Sequence, residues 1–252
     1  MGFDVAATAY GAFMGRFSQP LAPVFADAAG LEPGDQVLDV GSGPGALTAV
    51  LVERLGAEHV TAVDPSEPFV AAVRDRLPGV EVRRAAAEDL PFPDDSFDAA
   101  LAQLVVHFMS DPVAGLREMG RVTRPGGEVA ACVWDHAGGG PLTTFWTAVR
   151  DLDPAAADES DLAGAREGHL AELAREAGLT DIEDVRIGVS VGFASVDEWW
   201  APYTMGVGPA GEYVAGLDEP RRVALRDHCA ELLPDAPFMI DAWAWCVRAS
   251  AT

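Results

Sequence analysis

The sequence predicts an α/β protein built on a doubly wound, mostly parallel sheet with helices on both faces. Three observations carry that expectation. Short apolar runs alternate with helix-periodic segments through the first 134 residues. A glycine turn, Gly41-Ser42-Gly43-Pro44-Gly45, joins the first strand directly to a helix. Acids stand at the ends of the first two strands, Asp39 and Asp64. Strand, glycine turn and helix open a nucleotide-binding unit, because glycines allow close backbone approach and a helix start offers unpaired N–H groups.

In chain order, a helix carries Leu21, Val24, Phe25 and Ala28 on one face, with Gly30 beyond its end. Val37, Leu38 and Val40 form strand one, and Ala46, Leu47, Val50, Leu51 and Leu55 mark the next helix. Strand two is 59–63, ending at Asp64-Pro65, and a helix covers 67–77. Val80–Arg83 is strand three and Phe97–Ala102 strand four. Ser110 or Asp111 caps a helix with Pro112 in its first turn, where a missing N–H costs nothing. That helix runs to about Val122, and Pro125-Gly126-Gly127 turns into strand five, Val129–Trp134.

Beyond strand five the pattern loosens. Helical periodicity returns over Thr143–Leu152 and Gly168–Ala177, and Ile182–Phe193 reads as strand six. Ser195-Val196-Asp197-Glu198 has the spacing of a capping box. A helix over 220–233 and an alternating strand from Phe238 to Val247 complete the chain. There is no internal repeat and no long linker, so one domain over 1–252 is the economical reading.

Composition narrows the function. The chain holds 40 acidic and 17 basic residues for a formal charge of −23, and every basic side chain is arginine. An acidic surface lacks the footprint of nucleic-acid binding, and without lysine neither a Schiff base nor a P-loop is available. No apolar run approaches the ~18 residues of a membrane span, and Met1–Val5 has no signal-peptide character, which predicts a cytoplasmic protein with no membrane partner. Cys132, Cys229 and Cys246 are odd in number and far apart, and the histidines have no ligand spacing, so no disulfide framework or metal is expected.

The Gly41-x-Gly43-x-x-Ala46 pattern is shared by many dinucleotide enzymes. Asp39, two residues before the first glycine, suits a ligand ammonium group. Asp64, 23 positions after Gly41, suits the two hydroxyls of a ribose. With these residues in these positions, the chain resembles the class I S-adenosylmethionine (SAM)-dependent methyltransferases, nearest to the ubiquinone and menaquinone biosynthesis C-methyltransferases. The matching pieces are 37–45, Val63-Asp64, Ala87-Glu88-Asp89-Leu90-Pro91-Phe92, Asp95-Ser96-Phe97-Asp98 and 121–127, in the family's order across roughly 35–134.

The resemblance implies a Rossmann-like, seven-stranded sheet with its last strand antiparallel. It also implies a SAM-binding core over about 30–135 and a small helical substrate-side cap from 1–20 and 136–235. Gly41 and Gly43 would pass beneath the methionine part of SAM, and Asp39 would hold its amino group. Asp64, followed by Pro65, would hold the ribose. Ala86, Ala87 and Glu88 would lie along the adenine, and Gln103 would face the methionine end. Where relatives often carry Asp or Asn this chain has Ala86, so Glu88 or a backbone carbonyl must take over the adenine amino group.

The activated sulfonium needs mainly alignment, and positioning alone supplies ~7–11 kcal/mol of barrier reduction. The catalytic residue is unassigned. His107 is a candidate base, weighed against a purely structural histidine, whereas His59, His136, His169 and His228 are assigned nothing. Tyr10, Phe13, Phe17, Phe108 and Trp134 are candidate aromatic faces for the cation. Trp199, Trp200, Tyr203 and Met205 suit a substrate-side wall, core packing or a homodimer contact. Arg16 is a candidate partner of the SAM carboxylate on an N-terminal lid.

The expected function is transfer of a methyl group from SAM, leaving S-adenosylhomocysteine, to a small apolar or aromatic acceptor. Two alternatives stand beside it. An NAD-dependent oxidoreductase shares the glycine turn and the ribose acid, although Asp39 fits poorly beside a pyrophosphate. A SAM-binding protein without catalysis would carry the same motifs.

Overall fold

The computed structural model describes Gly11 and residues 13–252; Tyr10 and most of the expected N-terminal cap, residues 1–10 and 12, lie outside the described residues. The strands form one seven-stranded sheet in the order β3-β2-β1-β4-β5-β7-β6. They are β1 (Val37–Val40), β2 (Val60–Asp64), β3 (Glu81–Arg84), β4 (Phe97–Gln103), β5 (Thr123–Trp134), β6 (Thr180–Phe193) and β7 (Phe238–Ser250). The first five pair in parallel, and β7 runs antiparallel to both β5 and β6. The expected α/β architecture and its antiparallel last strand are therefore both present.

Between Gly15 and Leu232 the α-helices are α1 (Gly15–Ala28), α2 (Ala46–Leu55), α3 (Glu67–Arg76), α4 (Pro112–Val122), α5 (Thr143–Leu152), α6 (His169–Glu176), α7 (Val196–Trp200), α8 (Gly208–Ala215) and α9 (Glu219–Leu232). Strand alternation sorts the core into two layers. Val37, Ala99, Leu101, Ala130, Cys132 and Trp134 face one side, with Leu21 and Phe25 of α1 and Leu47 and Leu51 of α2. Leu38, Val40, Ala100, Ala102, Val129, Ala131 and Val133 face the other, with Leu116 and Met119 of α4 and Leu170 and Ala174 of α6.

Local chemistry explains the helix starts. Asp111 caps α4 by accepting the Ala114 N–H at 3.0 Å, and Asp218 caps α9 through Arg221 N–H at 3.0 Å. Ser195 accepts the Glu198 N–H at 3.2 Å, while Glu198 reaches back to the Ala194 N–H at 2.7 Å, one residue before the expected capping-box partner.

Two expectations about elements need correction. The buried stripe of α1 is Leu21, Ala22, Phe25 and Ala26, with Val24 and Ala28 only half-buried. Small residues let α1 lie close, so the stripe is not the one its larger apolar residues suggest. The helix α8 was not expected, because Gly208, Pro209 and Gly211 argue locally against a helix. Its buried Ala210, Gly211 and Val214 supply the tertiary packing that overrides propensity.

Candidate active site

Residues before the carboxyl ends of β1, β2 and β4 meet where the strand order reverses between β1 and β4, the position at which open α/β sheets bind ligands. A cavity of about 250 Å³ opens there. Its lining includes Asp39, Gly41, Gly43, Asp64, Pro65, Ala86, Ala87, Glu88 and Gln103. Every residue expected in the cofactor site thus borders one cavity, although they come from four separate stretches of chain.

The glycine turn is shaped by backbone conformation. Gly41, Gly43 and Gly45 have φ values of 71°, 53° and 85°, a region that favours glycine. A Cβ on Gly41 would lie 2.5 Å from both methyls of Val105, whereas one on Gly43 would meet no atom within 4 Å. Gly41 is required by packing, and Gly43 leaves open space on the cavity side.

The N–H groups within the turn itself are spent, whereas the expected unpaired groups belong to the start of α2 just beyond it. The N–H groups of Gly41 and Ser42 donate to Val63 O at 2.8 and 3.0 Å, that of Gly45 to Ser42 O at 2.9 Å, and that of Gly43 to Asp64 Oδ2 at 2.8 Å. Pro44 has none. The turn is a close-packed floor whose donors are spent within the protein, and it is not a nest of free N–H groups.

Two carboxyls and an amide frame the floor. Asp39 is buried, and its Oδ2 accepts the Thr48 hydroxyl at 2.5 Å. Among the described residues it has no ion-pair partner, and burial lifts its carboxyl to about 7, opposed by the Thr48 bond and reinforced by the charge of Asp64. Asp64 accepts Gly43 N–H on Oδ2 and Ser66 N–H on Oδ1, each at 2.8 Å. Its pKa is also raised by burial, against those two bonds. Gln103 donates Nε2–H to Ser18 O of α1 at 3.0 Å, leaving its buried Oε1 without a partner.

At the other wall, Ala87 is buried and Ala86 exposed. Glu88 Oε1 accepts the N–H groups of Ser110 and Asp111 at 2.6 and 3.3 Å, which ties the β3–β4 connection to the start of α4. Half of that carboxylate is therefore already committed to the loop.

A second cavity of about 90 Å³ adjoins the first and shares Phe69, Leu104 and Phe108 with it. Its walls are mainly apolar, from Phe13, Met14, Leu142 and Val207, and the α8 segment closes it. His107, Trp134, His136 and Glu159 also border it. The His107 and His136 ring centroids lie 5.6 Å apart. His136 and Glu159 were not expected here. His136 follows β5 by two residues and so shares the side of Trp134, a relation that could have been read from strand alternation.

Other candidates lie elsewhere. Arg16 does not reach the cavity: it pairs with Glu198 at 2.8 Å, donates to Gly192 O at 3.0 Å and lies over Phe193. Phe17 packs in the core against Trp134 and Phe193. Trp199, Trp200 and Tyr203 are buried with Phe145 rather than walling a cavity, and Met205 is exposed. Among the described residues, no helix is long and apolar enough to cross a membrane, and no three His, Cys, Asp or Glu side chains are grouped to hold a metal.

Comparison with known proteins agrees with this geometry. Residues 38–131 match a family described as a methyltransferase domain. The chain is 36% identical over 167 residues to 2-methyl-6-phytyl-1,4-hydroquinone methyltransferase 2 of Oryza sativa subsp. japonica, covering 63% of this chain and 44% of that protein. It is 34% identical over 151 residues to demethylmenaquinone methyltransferase of Renibacterium salmoninarum, covering 59% and 62%. The matches thus span about half the length of these relatives. Among solved structures, phosphoethanolamine N-methyltransferase 2 of Haemonchus contortus, bound to S-adenosylhomocysteine, is similar in fold with a TM-score of 0.60. That likeness comes at 17% identity and covers 99% of this chain and 58% of that one.

Proposed function

We propose, on the premise that residues 38–131 belong to the methyltransferase-domain family, that this chain transfers a methyl group from SAM to a small aromatic acceptor of the phenol or hydroquinone type. The observation that carries the reading is the pair of adjoining cavities, one bordered by polar strand ends and the other by apolar side chains and two histidines.

SAM fits the larger cavity on three counts. Among the described residues the buried Asp39 carboxyl has no cationic partner, which an ammonium would supply. The orphaned Gln103 Oε1 is a second acceptor for the same group. The open space at Gly43 admits a ligand over the turn. Asp64 retains lone pairs for ribose hydroxyls beyond its two backbone bonds. Ala86 and Ala87 provide a flat apolar edge for the adenine, and Glu88 keeps one oxygen free of the bonds to Ser110 and Asp111.

When bound, SAM supplies a methyl group already activated by its sulfonium. The protein then aligns the partners and excludes water. Leu104, Phe69 and Phe108 line the passage between the cavities, where methyl and acceptor would meet. Apolar walls desolvate the acceptor, and aromatic faces there stabilise a nearby cation by about 0.5–2 kcal/mol. The hydroquinone and demethylmenaquinone named in the relatives' descriptions agree with an aromatic acceptor.

The oxidoreductase alternative is disfavoured by the Asp39 carboxyl in the cavity wall, a poor neighbour for a pyrophosphate. Calorimetric titration with SAM, S-adenosylhomocysteine and NAD tests the assignment. Binding of the first two without NAD is expected; binding of NAD alone would overturn it. Methyl transfer from labelled SAM to simple phenols and hydroquinones then tests the acceptor class.

A further inference from the structure

The smaller cavity holds more unspent hydrogen-bonding capacity than an apolar pocket tolerates. Trp134 Nε1, His107 Nδ1 and both ring nitrogens of His136 are buried and have no hydrogen-bond partner among the described residues. All three residues border the same space. Buried polar groups are nearly always paired, and each one left unpaired costs stability. Three such side chains border one cavity, and although their nitrogens are covered in this conformation, a small rotation of each ring would turn them towards a molecule bound there to complete the bonds.

The donors and acceptors define that molecule. The indole Nε1–H only donates, so it requires an oxygen that accepts. A neutral imidazole offers one donor and one acceptor, and burial keeps both histidines neutral: His107 falls well below its ordinary pKa and His136 to about 4. A hydroxyl can satisfy both demands, since it accepts and donates at once. A carboxylate or phosphate would face Glu159 in the same wall with no Arg among the lining residues. An ammonium would have nothing to offer the indole N–H. Apart from Glu159 and Glu212, the remaining lining is aromatic, aliphatic or glycine backbone, which suits a flat ring.

We propose that Trp134, His107 and His136 form a hydroxyl-recognising subsite for an aromatic alcohol in the smaller cavity. This deepens the methyl-transfer reading and rests on it only in taking the bound molecule to be the acceptor. A ligand that enters such a space without meeting its hydrogen-bonding groups loses affinity. Selectivity for the hydroxyl follows, because a ring lacking it leaves the indole and imidazoles unpaired.

The test uses the full chain with 2-naphthol and naphthalene as probes, titrated at pH 7 by calorimetry. Wild type is compared with His136→Phe and His107→Phe. The proposal expects 2-naphthol to bind at least about tenfold more tightly than naphthalene. Each Phe variant should bring that ratio towards one while leaving naphthalene binding unchanged. His136→Phe should also melt no lower than wild type, since it removes two unpaired buried nitrogens. Equal binding of the two probes by wild type, an unchanged ratio in the variants, or no binding of either probe would each overturn it. If one variant does not fold, the other decides. A hydroxyl preference without S-adenosylhomocysteine binding would sink the methyl-transfer reading and leave the subsite standing. Binding of S-adenosylhomocysteine without the preference would do the reverse.

Discussion

The carboxylate of Asp64 accepts the backbone N–H of Gly43 at 2.8 Å. A residue expected to hold a ribose is therefore also the clamp that fixes the glycine turn to the end of β2. Its second oxygen holds Ser66 N–H at the start of α3.

Asp64→Ala should consequently fail in two ways at once. It leaves the Gly43 and Ser66 N–H groups without their acceptor, which should cost about 1–3 kcal/mol of stability. It should also weaken SAM binding by about 1.5–3 kcal/mol through lost bonds to the ribose. Denaturant titration and calorimetry on the same variant separate the effects. A folded variant with unchanged SAM affinity would remove Asp64 from the binding site and leave it only its structural role.

Asp39 makes ligand affinity depend on pH. Its carboxyl titrates near 7 in the folded protein and near 3.9 in an unfolded chain. Between those values the folded state holds a proton that the unfolded state has lost, so stability of the free protein falls as pH rises from about 4 to 7. A cationic ligand group favours the ionised form. SAM affinity should therefore rise as pH increases from 5.5 to 7.5, and binding near pH 6.5 should release a proton. Titration in buffers of different ionisation enthalpy reads that proton directly. Asp39→Asn should bind weakly and flatten the pH dependence; an unaltered pH profile in that variant would assign the effect to another group, Asp64 first.

Gly41 and Gly43 should respond differently to alanine. At Gly41 the new methyl meets both Val105 methyls at 2.5 Å on a backbone at φ 71°. Overpacking of this kind costs about 1–3 kcal/mol, and a left-handed non-glycine residue adds about 1–2 kcal/mol. Val105→Ala should recover the first part and not the second. At Gly43 the methyl is unobstructed, so Gly43→Ala should lose only the conformational part yet bind SAM poorly. Melting curves and SAM titrations on the two variants check the contrast. Equal binding by Gly43→Ala and wild type would place the ligand away from the turn.

How legible this was in the sequence depended on the range of the interactions. The elements of the first half could be read because a buried parallel strand is a local apolar run and the turn after β1 needs glycine locally. Gly41, Gly43, Asp39 and Asp64 could be named from spacing along that stretch, whereas Ala86, Ala87, Glu88 and Gln103 came only from the family resemblance. His136 could be read only in part: alternation puts it on the side of Trp134, but its ring centroid 5.6 Å from that of His107, 29 positions earlier, is a long-range contact that no local pattern signals. Arg16 looked free to meet a carboxylate because its partners, Gly192 and Glu198, come from the far end of β6 and from α7. The spent N–H groups of the turn likewise required the parallel register of β1 with β2, which brings Val63 O beneath Gly41 and Ser42.

Gln103 offers the last prediction, because its two amide ends do different jobs. Nε2 holds Ser18 O and so pins α1 over the sheet, while Oε1 is buried and unpartnered at the cavity. Gln103→Leu keeps the approximate volume and loses both functions. Gln103→Glu keeps an acceptor towards the cavity and loses the donor to Ser18. If Oε1 receives the ligand ammonium, SAM affinity should fall about tenfold in Gln103→Leu, the scale of one charge-assisted bond, and should be largely retained in Gln103→Glu above pH 7. If only the tie to α1 matters, both variants should lose affinity alike, since neither can donate to Ser18. The ranking of the two by calorimetry therefore decides whether Gln103 touches the ligand or merely positions the helix that covers it.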